Sequence, residues 1–417
     1  MKRIKLTLQL LFILLLAACA AKNTADVNQS TTSDKNDYRY LGDSYLSDFY
    51  IITEKDLPKT AGTLLRQQPL LSHQSISGAA KNIRLLYTST SGIDGSIVPV
   101  SGALFLPEGE APAGGWPIIL WSHGTVGIAD VCAPSWTGYI PLHDEYLQRW
   151  LNQGYAIVAS DYQGLGTEGT HPYLATEPAA LSNLDILRAV QSIDLSLSEK
   201  IVIVGQSQGA GAAIATAEYA KPYAPELDIR GVVATGVPHF TPRAITIIQQ
   251  SRPKDVVDPM LGYNFLALTL VQQFDPNFDI AEYVSEQTLP TVKAVADICN
   301  RDMRSKIKEM GLTHNMVFKA DPLKPLQVAF DKMTYPSLAL TVPMFVGSGS
   351  VDRDTPLRMQ RGVVELACSA GSVVEAHVYD GFDHLSALNH STTDSIAFVK
   401  ALMTDQQVRG NCNNLPF

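Results

Sequence analysis

The sequence predicts an α/β fold: a mostly parallel, doubly wound sheet with a helical subdomain inserted late in the chain. Three observations carry this expectation. Apolar runs recur at 116–122 (WPIILWS), 156–160 (AIVAS), 201–204 (IVIV), 232–235 (VVAT), 342–346 (VPMFV) and 373–379 (VVEAHVY). Runs this continuous suit strands buried on both faces. Segments with helical apolar spacing, 144–153 and 178–195, fall between them, and strand–helix alternation implies right-handed crossovers. The rhythm then breaks between about 235 and 342, where only helical spacing is found.

With 417 residues, 46% of them apolar and 18% charged, the chain has ordinary globular composition and enough length for one large domain with an insertion. Its net charge of −9, with scattered Lys and Arg, argues against nucleic acid as a partner. Zinc-ligand spacing, Walker-type loops and solenoid periods are absent from the sequence. The chemistry read below calls for no metal or organic cofactor.

The N-terminus reads as a targeting segment. Met1 to Lys5 is basic, and an apolar stretch of signal-peptide length follows. The run Leu16-Ala17-Ala18-Cys19 resembles a bacterial lipobox, in which Cys19 becomes the lipid-carrying first residue. That predicts an exported protein held to a membrane by its lipid. Ala20 at the next position favours the outer membrane over inner-membrane retention. Residues 19–37 are polar and aperiodic, as expected of a flexible tether. The expected layout is then a signal peptide at 1–18, the tether, a core at 38–238, a helical insertion at 239–340 and the rest of the core at 341–417.

Within the core, 83–89 and 97–106 predict an opening antiparallel pair, ended by Pro107 and Gly109. The insertion contributes helical spacing at 240–251, 260–274, 289–303 and 326–333. Its segment MLGYNFLALTLVQQF is apolar around most of its circumference but too short to span a bilayer. It is either the insertion's core or a surface for apolar ligands. Apart from Cys19, four cysteines remain: Cys132, Cys299, Cys368 and Cys412. An even number in an exported chain predicts two disulfides, and three pairings are open.

The chemistry centres on "IVIVGQSQGAGAA" (201–213), in which Gly205-Gln206-Ser207-Gln208-Gly209 is G-x-S-x-G. The pentapeptide alone arises by chance in roughly one chain in seven of this length. Its context is stronger: a strand precedes it and a small-residue helix follows, the setting of a nucleophile elbow. A serine hydroxyl needs a base, and the base needs a third group to orient it. In this architecture the acid and then the histidine follow the serine in the chain. His384, after the last strand in YDGFDH, is the expected base, in preference to His377 within the strand and His390 beyond it. For the acid, "MFVGSGSVDRDTP" offers Asp352 and Asp354; Asp352 has the usual spacing, and Asp354 is expected to cap or turn. Oxyanion donors are expected from the N–H groups of Gln208 and of Thr125, in His123-Gly124-Thr125. His123 is read as fixing that loop.

Three phrases, "WSHGTVGIADVCAPS", "SDYQGLGTEGTHPYL" and "GQSQGAGAA", resemble the secreted lipase family of α/β-hydrolases, from about residue 50 to the end of the chain. The resemblance implies an α/β-hydrolase core with a helical lid after the sixth strand and hydrolysis of carboxylic esters, with Ser207, Asp352 and His384 on the catalytic positions. It also implies the pairings Cys132–Cys299 and Cys368–Cys412, the first tying lid to oxyanion loop. Asp161, Tyr162, Gly164 and Gly166 match a structural loop. The competing functions are a peptidase or acyltransferase on the same fold, with Asp255, Asp258 and Asp275 as candidate amine-binding acids, and an anchored binding protein without catalysis.

Overall fold

The computed structural model describes residues 46–241, 244–245 and 252–417. The lipobox-like run with Cys19, the tether at 19–37 and most of the helix expected at 240–251 lie outside the described residues.

One sheet contains β1 (Leu64–Pro69), β2 (Ala79–Thr90), β3 (Ile97–Pro107), β4 (Trp116–Ser122), β5 (Ala156–Ser160), β6 (Leu197–Gln206), β7 (Asp228–Thr235), β8 (Met344–Gly349) and β9 (Val374–Tyr379). Their order is β1-β2-β3-β5-β4-β6-β7-β8-β9. The first three form an antiparallel meander, and β3 pairs antiparallel with β5. Every pairing from β5 through β9 is parallel. This is the α/β-hydrolase sheet expected above, with one strand more. β1, LLRQQP, is half-exposed and polar, so it carries no buried-strand signal, and its addition makes the insertion follow the seventh strand.

The principal helices are α1 (Pro141–Asn152), α2 (Thr176–Gln191), α3 (Gln208–Tyr223), α4 (Leu261–Phe274), α5 (Asn300–Glu309), α6 (Leu323–Lys332), α7 (Leu357–Ser369) and α8 (Thr392–Met403). Successive strand residues alternate between the two faces. Ile118, Leu120, Val158 and Ile203 pack with residues of α2, α3 and α7. Ile119, Trp121, Ile157 and Val204 pack with α1 and α8. Each of these side chains is fully buried, a gain of roughly 1.5–3 kcal/mol per large aliphatic residue. The central strands are thereby fixed in register, and their C-terminal ends form a rigid platform.

Between β7 and β8 lie α4, α5, α6 and several shorter helices. Phe265, Leu266, Leu268 and Leu270 of α4 are buried among Ile307 of α5 and Leu326 and Phe330 of α6. The all-round apolar helix is thus this subdomain's core. The helix expected over 289–303 is broken: a short helix spans Leu289–Lys293, and α5 starts only at Asn300. Cys299 stands between them in extended conformation, in a β-bridge with Gly127 and disulfide-bonded to Cys132. Those tertiary ties override the local helical spacing. A second disulfide joins Cys368 to Cys412. Among the described residues no helix is long and apolar enough to cross a membrane, and no cluster of His, Cys, Asp and Glu could hold a metal ion.

Candidate active site

β6 ends at Gln206 and α3 begins at Gln208, so Ser207 occupies the turn alone. Its backbone lies at φ 58°, ψ −124°, a region that costs a side-chain-bearing residue about 1–3 kcal/mol. Two glycines make the turn sterically feasible. A Cβ on Gly205 would collide with the Gly209 carbonyl, and one on Gly209 would collide with the Ser122 carbonyl of β4. The Ser207 N–H donates to the Thr235 carbonyl at the end of β7, 2.9 Å away. The strain is therefore held by neighbours on both sides.

His384 follows β9, and its ring packs over Gly236, the residue after Thr235, where an added Cβ would stand 2.9 Å from its Cε1. Its carbonyl accepts from the Gln206 side-chain amide at 3.2 Å. The residues on either side of Ser207's anchoring thus touch the histidine. Asp352, beyond β8, has a fully buried side chain. One of its oxygens accepts the N–H groups of Asp354 (2.9 Å) and Thr355 (2.8 Å). The other accepts the Thr355 hydroxyl (2.8 Å), the Gln360 amide (3.1 Å) and Nδ1–H of His384 (2.7 Å). With Nδ1 committed to the carboxylate, Nε2 of His384 is the free base. Burial, the largest influence, works to lower the His384 pKa, but the hydrogen bond and negative charge of Asp352 outweigh it and leave the value raised.

Asp354 is placed elsewhere. Instead of capping or turning, it forms an ion pair with Arg304 of α5 (3.2 Å) and accepts from the Tyr263 hydroxyl of α4 (3.4 Å). His377 pairs with Glu375 at 3.0 Å, and His390 stacks on Phe382. Asp258 is neutralised by Arg252 at 3.2 Å, while Asp275 accepts from a local N–H.

Gln208 presents its N–H at the first turn of α3, where the helix dipole favours negative charge. Its side-chain amide donates to Nε2 of His171 at 2.9 Å, because Nδ1–H of that ring donates to the Gln163 carbonyl, also at 2.9 Å. Burial holds His171 down to about 4, so the ring stays neutral. The Thr125 loop approaches from the other side: a Cβ on Gly124 would lie 3.5 Å from Ser207 Cβ. The carbonyls of Thr125 and Val126 accept from the Asn300 side chain (3.2 Å) and N–H (2.7 Å). The Cys132–Cys299 disulfide reinforces this junction. His123 is buried between the carbonyls of Gly124 (2.8 Å) and Asp161 (3.2 Å) and stacks on Tyr162. Asp161 binds Ser101 (2.6 Å) and Ser135, bracing the loop from below.

Sequence reasoning did not single out His171, Thr355, Gln360 or the Tyr263–Arg304 pair. His171 lies within a phrase already noted, THPYL, and Thr355 follows the acid directly, so both had a local signal. Gln360, Tyr263 and Arg304 become visible only through tertiary contact.

Two cavities, of about 580 and 880 Å³, flank this arrangement and share Thr125, Tyr263 and Asp354 as lining. Gln208 lines the smaller, and His384 and Gln206 line the larger. Leu261, Ala267, Leu326, Phe330 and Met333 of the inserted helices give the smaller one an apolar wall. Chemically, a strained hydroxyl, a carboxylate-held imidazole and a helix N-terminus suit nucleophilic attack on a carbonyl carbon.

Comparison with known proteins agrees with this architecture. The sequence matches the secretory lipase family over residues 133–410. Lipase A of Moesziomyces aphidis is 23% identical over 266 residues, which are 60% of this chain and 54% of that protein. The chain therefore spans about half the length of the curated relative it matches. Among solved structures, Candida antarctica lipase A superposes with a TM-score of 0.73 at 20% identity, covering 90% of this chain and 89% of its own. The rice cell wall degrading esterase LipA of Xanthomonas oryzae gives 0.66 at 21% identity, covering 84% and 100%. With its elbow, its inserted helices and a profile match over most of its length, the chain belongs to the secretory lipase family.

Proposed function

We propose that the protein is a serine carboxylic-ester hydrolase working through Ser207, His384 and Asp352. Nε2 of His384 takes the Ser207 proton as Oγ attacks the acyl carbon, and the N–H groups of Gln208 and Thr125 receive the oxyanion. The imidazolium then gives its proton to the leaving alkoxide. A water activated by the same nitrogen attacks the acyl-enzyme and frees the acid and Ser207. Asp352 fixes the tautomer throughout. The 2.7 Å contact of His384 with Asp352, beside a serine on a strained elbow, carries this reading.

The two cavities suggest where the ester lies. The acyl chain enters the smaller one, on the Gln208 side, against the apolar wall of the inserted helices. The alcohol occupies the larger one, beside the imidazole that protonates it. Ser207→Ala is expected to abolish turnover of a nitrophenyl ester and adduct formation with a fluorophosphonate while the fold survives; undiminished turnover would refute the assignment.

The protein is also read as exported, with a lipid on Cys19 that holds it to a membrane, the outer membrane by preference. Incorporation of an alkyne-tagged fatty acid, absent from Cys19→Ser, is the matching test.

A further inference from the structure

We infer that the larger cavity is an anion-recognising subsite, so that the preferred ester carries a carboxylate on its alcohol portion. The inference rests on the ester-hydrolase reading and specifies its substrate. The chain as a whole is acidic, with 41 Asp and Glu against 32 Lys and Arg. Yet this cavity has three arginines in its lining, Arg301 and Arg304 from α5 and Arg353 from the loop after β8. Two carboxylates share the lining, and both are engaged within the protein. Asp354 binds Arg304 and Tyr263. Asp383 accepts from the Ser386 hydroxyl (2.5 Å) and from the N–H groups of Ser386 (2.9 Å) and Leu385 (3.2 Å), which hold its pKa below the usual carboxylate value.

Two of the arginines, Arg304 and Arg353, have donors to spare. Arg304 makes both its Asp354 and its Tyr263 bonds through Nη1. Arg353 is exposed and enters no ion pair among the described residues. A guanidinium fork fits a carboxylate in two parallel hydrogen bonds, which a neutral alcohol cannot accept equally well. Because His384 lines the same cavity, the charged group belongs to the departing alcohol rather than the acyl chain.

The test uses phenyl acetate, 3-carboxyphenyl acetate and 3-(trimethylammonio)phenyl acetate, each kcat/KM divided by the ester's own hydroxide-catalysed rate. The anionic ester is expected to exceed the neutral one by on the order of tenfold at low salt, and the cationic ester to fall below it. Added sodium chloride should compress the spread. Arg353→Gln should lower the anionic-to-neutral ratio several-fold, and Asp354→Asn should raise it, opposite shifts that general damage to the fold does not produce. Hydrolysis of phenyl acetate with all three esters treated alike, or a ratio that neither variant moves, overturns the subsite. Failure to hydrolyse any of the three would instead overturn the ester-hydrolase reading on which it rests.

Discussion

Nδ1 of His384 lies 2.7 Å from Oδ2 of Asp352, a carboxylate that already accepts four other hydrogen bonds. The acid is therefore immobilised before it orients the base, and its charge sets the protonation of the ring. Asp352 raises the imidazole pKa against a burial that lowers it. General-base activity needs the neutral ring, so the acidic limb of kcat/KM should have its midpoint above the ordinary value of about 6.5. In Asp352→Asn burial is left as the dominant influence, with the opposed charges of Asp354 and Arg304 as smaller ones, and the midpoint should move to lower pH. The rate should fall by roughly 10³–10⁴-fold, because the amide permits the wrong tautomer. A pH–rate profile of both proteins on a neutral ester checks sign and size together.

The two disulfides should separate by function. Cys132–Cys299 closes a 167-residue span and joins the Thr125 loop to the start of α5, whereas Cys368–Cys412 closes 44 residues between α7 and the C-terminal segment. Removing either pair as a double Ser variant should cost about 2–5 kcal/mol of stability. Only the first should also lower kcat, because Asn300, next to Cys299, holds the carbonyls of Thr125 and Val126. Denaturant unfolding and ester turnover measured on the two variants make the comparison.

His171 is a positioning residue in this scheme. It touches no reacting atom, but accepts the side-chain amide of Gln208 in a buried network. His171→Ala strands that amide, and kcat should fall about tenfold with little change in KM, as for an interaction felt mainly in the transition state. His171→Gln restores an acceptor and should recover part of the loss. Because burial keeps the ring near pKa 4, neither protein should lose or gain an inflection above pH 5. Equal losses for Ala and Gln, or a loss confined to KM, would contradict the assignment.

What the sequence disclosed and what it hid divide along physical lines. The buried strands β4–β8 were legible because burial on both faces demands continuous apolar runs, whereas the edge strand β1, with Arg66, Gln67 and Gln68, has no such demand on it. The strand-end positions of Ser207, Asp352 and His384 were legible because each follows a strand, in a fixed chain order. The role of Asp354 was not, since its partners Arg304 and Tyr263 lie 50 and 91 residues away in the inserted helices. The break at 297–299 was hidden for the same reason: helical spacing is local, while the Gly127 bridge and the Cys132 bond that override it are not.

Ala267 tests the acyl assignment. It sits on α4, 4% exposed, in the wall of the 580 Å³ cavity. A larger side chain there would project into space that an acyl chain is proposed to occupy, while Ser207 and the oxyanion donors lie on other elements. Ala267→Phe should therefore shorten the preferred chain, lowering the ratio of dodecanoate to acetate hydrolysis by tenfold or more. Such a factor corresponds to about 1.4 kcal/mol, comparable to the lower end of overpacking costs in a core. The ratio cancels any uniform loss from imperfect folding. An unchanged chain-length profile in a variant that still turns over acetate would remove this cavity from the acyl path and leave the larger one as the only candidate.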